Sequence, residues 1–126
     1  MFNSPGAAYE AAGKTSVSSR QLEATALFKA ARMLETCRQE WDQVDRSTRL
    51  EHALHYNQRL WTFFQAELSR PGNPIDPPLR DNLLRLSACV DKRTFELLGD
   101  PDPEKLRLLV DINRNVAAGL VENAAA

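Results

Sequence analysis

Between Leu22 and Leu120 the apolar residues recur at steps of three and four, and every proline in that interval falls where the recurrence breaks. A step of three or four returns a side chain to one face of an α-helix, whereas a half-buried strand needs a step of two. The segment Arg70–Pro78 alone holds Pro71, Pro74, Pro77 and Pro78, four of the seven prolines. Proline lacks an N–H and clashes with the turn before it, so this segment cannot be helix interior. Such a chain is limited to helices of moderate length joined by short breaks. Composition agrees, with 33 Leu and Ala against 14 Val, Ile and Thr. Leu and Ala favour helices and β-branched residues favour strands, so a β-sandwich, a barrel or a parallel-sheet enzyme is excluded.

The spacing predicts a first long helix from Ser18, with Ser18 and Gln21 as a capping box. Leu22, Ala26, Ala30, Met33, Cys37 and Trp41 share its main face, widened by Leu27, Leu34 and Val44, with Phe28 outside. A second helix is expected from Thr48, with Glu51 three residues on as a further capping box. Leu50, Leu54, Asn57, Trp61, Phe64 and Leu68 form its stripe, and Tyr56, Leu60 and Phe63 lie beside it. That arc covers about half the helix, wider than packing on one neighbour requires.

Asp76 is placed to cap a third helix whose first turn tolerates Pro77 and Pro78. Leu79, Leu83, Leu86, Val90 and Leu97 make a narrow stripe there, and Leu84, Ala88 and Phe95 run along another side. Gly99 stands at its C-terminal end. Asp102 and Pro103 begin a fourth helix, with Leu106, Leu109, Val110, Asn113, Val116, Ala117 and Leu120 on one face. The expected fold is all-α, a small antiparallel bundle of about four helices. Residues 1–17, with Tyr9 as their one sizeable anchor, are expected to be a flexible segment, and residues 18–122 the helical domain.

Several function classes fall away at this level. The 126 residues carry 16 Lys and Arg against 17 Asp and Glu, without the basic excess of a phosphate-gripping protein. No apolar run is long enough to span a membrane. The N-terminal stretch lacks a basic start and an apolar core, so no signal peptide is expected and the protein is expected to be cytoplasmic. Cys37 and Cys89 stand far apart, with neither metal spacing nor a disulfide framework, and are expected to be partly buried thiols.

Catalysis asks for convergent polar groups in an apolar pocket, and no such constellation is legible. His52 and His55 lie three apart on the second helix without further zinc ligands at a recognisable spacing, and read as a solvated face. No phosphate loop, nucleophile elbow or repeated Glu-x-x-His pattern occurs. No enzyme, metal or cofactor is expected. Arg38, Arg46, Arg49 and Arg59 gather around the first connection. Interspersed Glu40, Asp42, Asp45 and Glu51 make a salt-bridged surface the plainer reading.

Two features stand out. Phe28, Tyr56, Phe63, Leu84 and Phe95 fall off the narrowest stripes. They are either a groove for a partner helix or wide core faces of helices with several neighbours. Asn57 and Asn113 each lie mid-stripe, where a buried amide needs partners. Each is either a contact that fixes helix register or an anchor for a guest peptide.

The segments SSRQLEATALFKAA (18–31), YNQRLWTF (56–63), RPGNP (70–74) and DINRNVAAGL (111–120), in that order, resemble the FlaF family of flagellar biosynthesis regulators of some flagellated bacteria. The likeness runs from about Tyr9 to Leu120. It departs at the first-helix cap, which lacks a proline at the first helical position, and at His52 and Cys89, which match no family pattern. The resemblance implies a non-enzymatic protein that acts in flagellin production with FlbT, a translational regulator, and serves as an export chaperone. Its expected partner is the terminal amphipathic segment of flagellin. Candidate contact residues are Tyr56, Asn57, Leu60, Trp61, Phe63 and Phe64 on the second helix, with Ile112, Asn113 and Val116 on the fourth. The alternative is direct binding of flagellin mRNA through the arginines, although the charge balance makes direct contact with nucleic acid the weaker expectation.

Overall fold

The computed structural model describes residues 16–125, with side chains from Ser19 to Glu122. The described residues form four α-helices in succession: α1 (Ser16–Gln39), α2 (Arg46–Leu68), α3 (Pro77–Gly99) and α4 (Leu106–Ala125), with a 3₁₀ turn at Pro103–Lys105. The described residues contain no strand. Residues 1–15, which include Tyr9 and most of the expected flexible segment, lie outside the described residues. Ser16 and Val17, placed in that segment by sequence, are helical.

Three of the expected starts differ, the last because Pro103–Lys105 form a 3₁₀ turn and the fourth α-helix begins at Leu106. Ser18 stands inside α1 rather than at its cap, and α2 begins at Arg46, two residues before Thr48. Asp45 occupies the N-cap position of α2, but its carboxylate makes no capping hydrogen bond. The backbone carbonyl of Asp45 accepts from the Arg49 N–H at 3.0 Å instead. Asp76 caps α3 by position, with both prolines in the first turn, where no N–H is required. Asp102 is a full cap: its side chain accepts from the Glu104 N–H at 2.9 Å, and Pro103 follows. Gly99 closes α3 without a left-handed conformation, which among the described residues belongs to Gly72 alone (φ 79°).

The core explains the arrangement. α1 and α4, first and last in sequence, share the most extensive interface. Ala24, Ala30, Ala31 and Ala117 are fully buried, and such small side chains let two helix backbones approach closely. Leu27, Leu34, Leu106, Leu109 and Val110 fill the rest of that seam. The buried face of α1 is turned toward Leu27 and Leu34, so Leu22, Ala26 and Met33 are only partly buried. Trp41 and Val44 belong to the turn after α1. Trp41 is half-buried under the Arg46 guanidinium, 4.6 Å from its ring centre, and Val44 is fully exposed.

Helix α2 packs on α1 and α3, while α3 touches α4 only slightly. The start of α1, the end of α2, the start of α3 and the end of α4 meet at one end of the bundle, as antiparallel order requires. On α3 the buried face is Ser87, Val90, Thr94 and Leu97, and Leu79 in the first turn is exposed. Buried Thr94 satisfies its hydroxyl by donating to the Val90 carbonyl at 2.7 Å. Phe95 and Leu98 point to solvent. Gln65 donates to Asp91 at 2.9 Å and ties α2 to α3.

Candidate functional site

The connector between α2 and α3 is held in shape by its own polar groups. Gly72 supplies the positive φ that an L side chain resists. The Asn73 side-chain amide donates to the Glu67 carbonyl at 2.8 Å, and its carbonyl accepts from the Ile75 N–H at 3.0 Å. This local ring, in the manner of an Asx turn, folds the connector back over the end of α2. It brings Pro74 and Ile75 to the mouth of a cleft.

That cleft has a volume of about 230 Å³. Its walls come from every helix. Ser19, Arg20 and Glu23 stand on α1, and Trp61, Phe64, Glu67 and Leu68 on α2. Leu83 comes from α3, and Val116 and Leu120 from α4. Trp61 and Phe64 meet edge to face, ring centres 5.8 Å apart at 86°, and make an aromatic floor. The volume is below the 300–1,000 Å³ usual for small-molecule pockets. It suits one or two side chains of a docking segment.

Three charged side chains line this cleft, Arg20, Glu23 and Glu67. Burial pushes the Glu23 carboxyl up to about 7, against a partial pull downward from Arg20 and a push upward from Glu67. Glu23 makes no hydrogen bond or ion pair with another described residue. Glu67, by contrast, is paired with Arg70 at 3.1 Å. The cleft therefore holds one desolvated carboxyl group that has no ion-pair partner among the described residues.

The sequence-derived contact residues separate into two groups. Asn57, Leu60, Trp61, Ile112 and Asn113 are buried, and Tyr56, Phe63, Phe64 and Val116 are half-buried. Asn113 donates its amide N–H to Asn57 Oδ1 at 2.7 Å and accepts from Trp61 Nε1 at 2.9 Å. The two asparagines thus join α2 to α4 across the core, in the manner of a register-fixing contact. Trp61, Phe64 and Val116 border the cleft, whereas Tyr56 lies beside Lys29, whose ammonium is 5.2 Å from its ring centre. Of the residues off the narrowest stripes, Phe28 and Phe95 are exposed, while Tyr56, Phe63 and Leu84 are half-buried.

Ser19, Glu23 and Ile75 were not among the sequence-derived contact residues, and Leu83 was read only as part of the apolar stripe of α3. Glu23 did carry a signal: a carboxylate one turn before Leu27 interrupts the apolar face of α1. Ile75 carried none, because its place depends on the fold of the connector.

The remaining candidates are quiet. His52 and His55 are exposed, and no group of three or more His, Cys, Asp or Glu among the described residues could hold a metal ion. Cys37 is buried, and that burial raises its thiol pKa. Cys89 is exposed rather than partly buried. Arg38 pairs with Glu35 at 2.6 Å, and Arg49 with Glu40 at 2.7 Å and Asp45 at 3.7 Å. No helix among the described residues is long and apolar enough to cross a membrane.

These residues define a small antiparallel four-helix bundle with a side-chain-sized cleft at one end. The sequence model of the family described as flagellar protein FlaF matches residues 6–120. The chain belongs to the FlaF family and is a flagellar protein. No curated protein and no solved structure matches it.

Proposed function

We propose that this flagellar protein binds flagellin in the cytoplasm as an export chaperone, without catalysing a reaction, and couples flagellin synthesis to secretion together with FlbT. The observation that carries the reading is an aromatic-floored cleft of side-chain size in a member of a flagellar family. The terminal segments of a filament-forming protein are amphipathic and polymerise. A partner that covers apolar side chains from such a segment holds it monomeric until export. Each buried apolar side chain contributes roughly 1.5–3 kcal/mol before the entropy of association is subtracted.

A direct grip on flagellin message through the arginines has less support. Arg38 and Arg49 are committed to carboxylates, and Arg46 lies over Trp41. Phosphate binding falls steeply as salt rises, and an apolar contact does not. Size-exclusion chromatography of the chain with monomeric flagellin, at physiological salt and at several times that concentration, tests the reading. A complex that survives both conditions is expected. Separate elution at physiological salt overturns the proposal, and a complex with message RNA that dissolves in salt favours the alternative.

A further inference from the structure

We propose that the cleft seats an apolar side chain of flagellin's terminal segment while a Lys or Arg next to it on that segment pairs with Glu23. This rests on the chaperone reading and names the chemistry the guest must carry. Three observations lead to it. The cleft, at about 230 Å³, is below the usual range for small-molecule pockets and has room for one or two side chains. Its floor, Trp61, Phe64 and Leu83, offers only apolar contact and aromatic faces. Its rim carries Arg20, Glu23 and Glu67: Glu67 pairs with Arg70 at 3.1 Å, while the desolvated Glu23 has no ion-pair partner among the described residues.

A carboxylate half-withdrawn from water is costly to keep ionised without a partner. Around Glu23 the facing groups are Arg20 on its own helix, Glu67 on α2, and apolar Leu83, Val116 and Leu120 on α3 and α4. Arg20 acts on Glu23 without forming an ion pair with it, so the electrostatic balance of the mouth improves when a cation arrives from outside. An anionic guest would instead add a negative charge beside the desolvated Glu23 carboxyl. The exposed Phe95 and Leu98 on α3 form a competing apolar surface.

The test compares the affinity of the full chain for labelled monomeric flagellin, and for two synthetic amphipathic helices that differ only in Lys or Glu beside the apolar face. Glu23→Lys should weaken flagellin and the Lys helix roughly tenfold or more, and should bind the Glu helix better than wild type does. Glu23→Gln, which removes an unpaired charge and should fold at least as well, should lose several-fold. Phe95→Asp should leave affinity unchanged. Flagellin binding that is indifferent to both Glu23 variants, or that is lost in Phe95→Asp alone, overturns the cleft as the seat. If wild type ignores flagellin yet binds the Lys helix in a Glu23-dependent way, the flagellin reading fails and the chemistry of the cleft stands. If it binds neither, both fail.

Discussion

Asn113 on α4 donates its side-chain N–H to Asn57 Oδ1 on α2 at 2.7 Å, and both residues are fully buried. The same Asn113 accepts from Trp61 Nε1, so one amide serves two partners. Asn57 Nδ2, in contrast, has no partner among the described residues. The two asparagines are therefore unequal. Asn113→Ala leaves the Trp61 indole N–H and Asn57 Oδ1 both unpaired and is predicted to cost about 3–5 kcal/mol. Asn57→Ala leaves only Asn113 Nδ2 unpaired and removes an amide group that was already unsatisfied, so about 1–3 kcal/mol is expected. Urea unfolding of both single variants and the double variant measures the order. A double variant that costs clearly less than the sum shows the coupling.

Gly72 isolates backbone strain from packing. Its φ is +79°, and a Cβ built there meets no atom within 4 Å. Gly72→Ala is predicted to cost about 1–2 kcal/mol through conformation alone. Gly72→Asn should cost less, since asparagine tolerates the left-handed region. Because the turn presents Ile75, Gly72→Ala should also weaken flagellin binding more than its loss of stability explains. Denaturant unfolding and a binding titration on the same samples test both parts.

Glu23 makes stability depend on pH in an unusual direction. Its carboxyl titrates near 7 in the fold against 4.5 for the free group. Below about 4.5 it is protonated folded and unfolded, and costs nothing. Between there and 7 only the unfolded chain releases the proton, so the fold loses stability as pH rises. The loss is complete above 7 and amounts to at most about 3 kcal/mol, less where water reaches the half-buried carboxylate. Glu23→Gln should therefore match wild type near pH 4.5 and exceed it near pH 8. Melting temperatures of the pair across that range measure it, and a constant difference would contradict the assignment.

The ion pairs around the first connection are predicted to matter little. Arg49 reaches Glu40 and Asp45 from a surface where both acids are well exposed. Arg49→Ala should change stability by less than about 1 kcal/mol and leave flagellin binding unaltered. A large loss of flagellin affinity in this variant would move the contact surface away from the cleft.

The helices were legible because their apolar period and their prolines agree. Pro77 and Pro78 mark the start of α3, and Pro103 the 3₁₀ turn that leads into α4, since a fixed φ and a missing N–H suit a first turn and little else. Ser18 and Thr48 misled because a serine or threonine followed three residues later by Gln or Glu also occurs inside helices. The buried roles of Asn57 and Asn113 were legible as anomalies, but their pairing was not, because register between α2 and α4 depends on the whole core. The cleft was the least legible feature. It draws on four helices and a connector folded by Gly72 and Asn73, so no single stretch of sequence contains it.

Amide hydrogen exchange of the chain with and without monomeric flagellin is the most direct test of the central claim. The account predicts added protection at the start of α1 around Ser19–Glu23, in the connector at residues 73–75 and in the last turns of α2 and α4, with α3 beyond Leu83 unchanged. Protection confined to the Phe95–Leu98 face of α3, or no protection at concentrations where flagellin is monomeric, would contradict it.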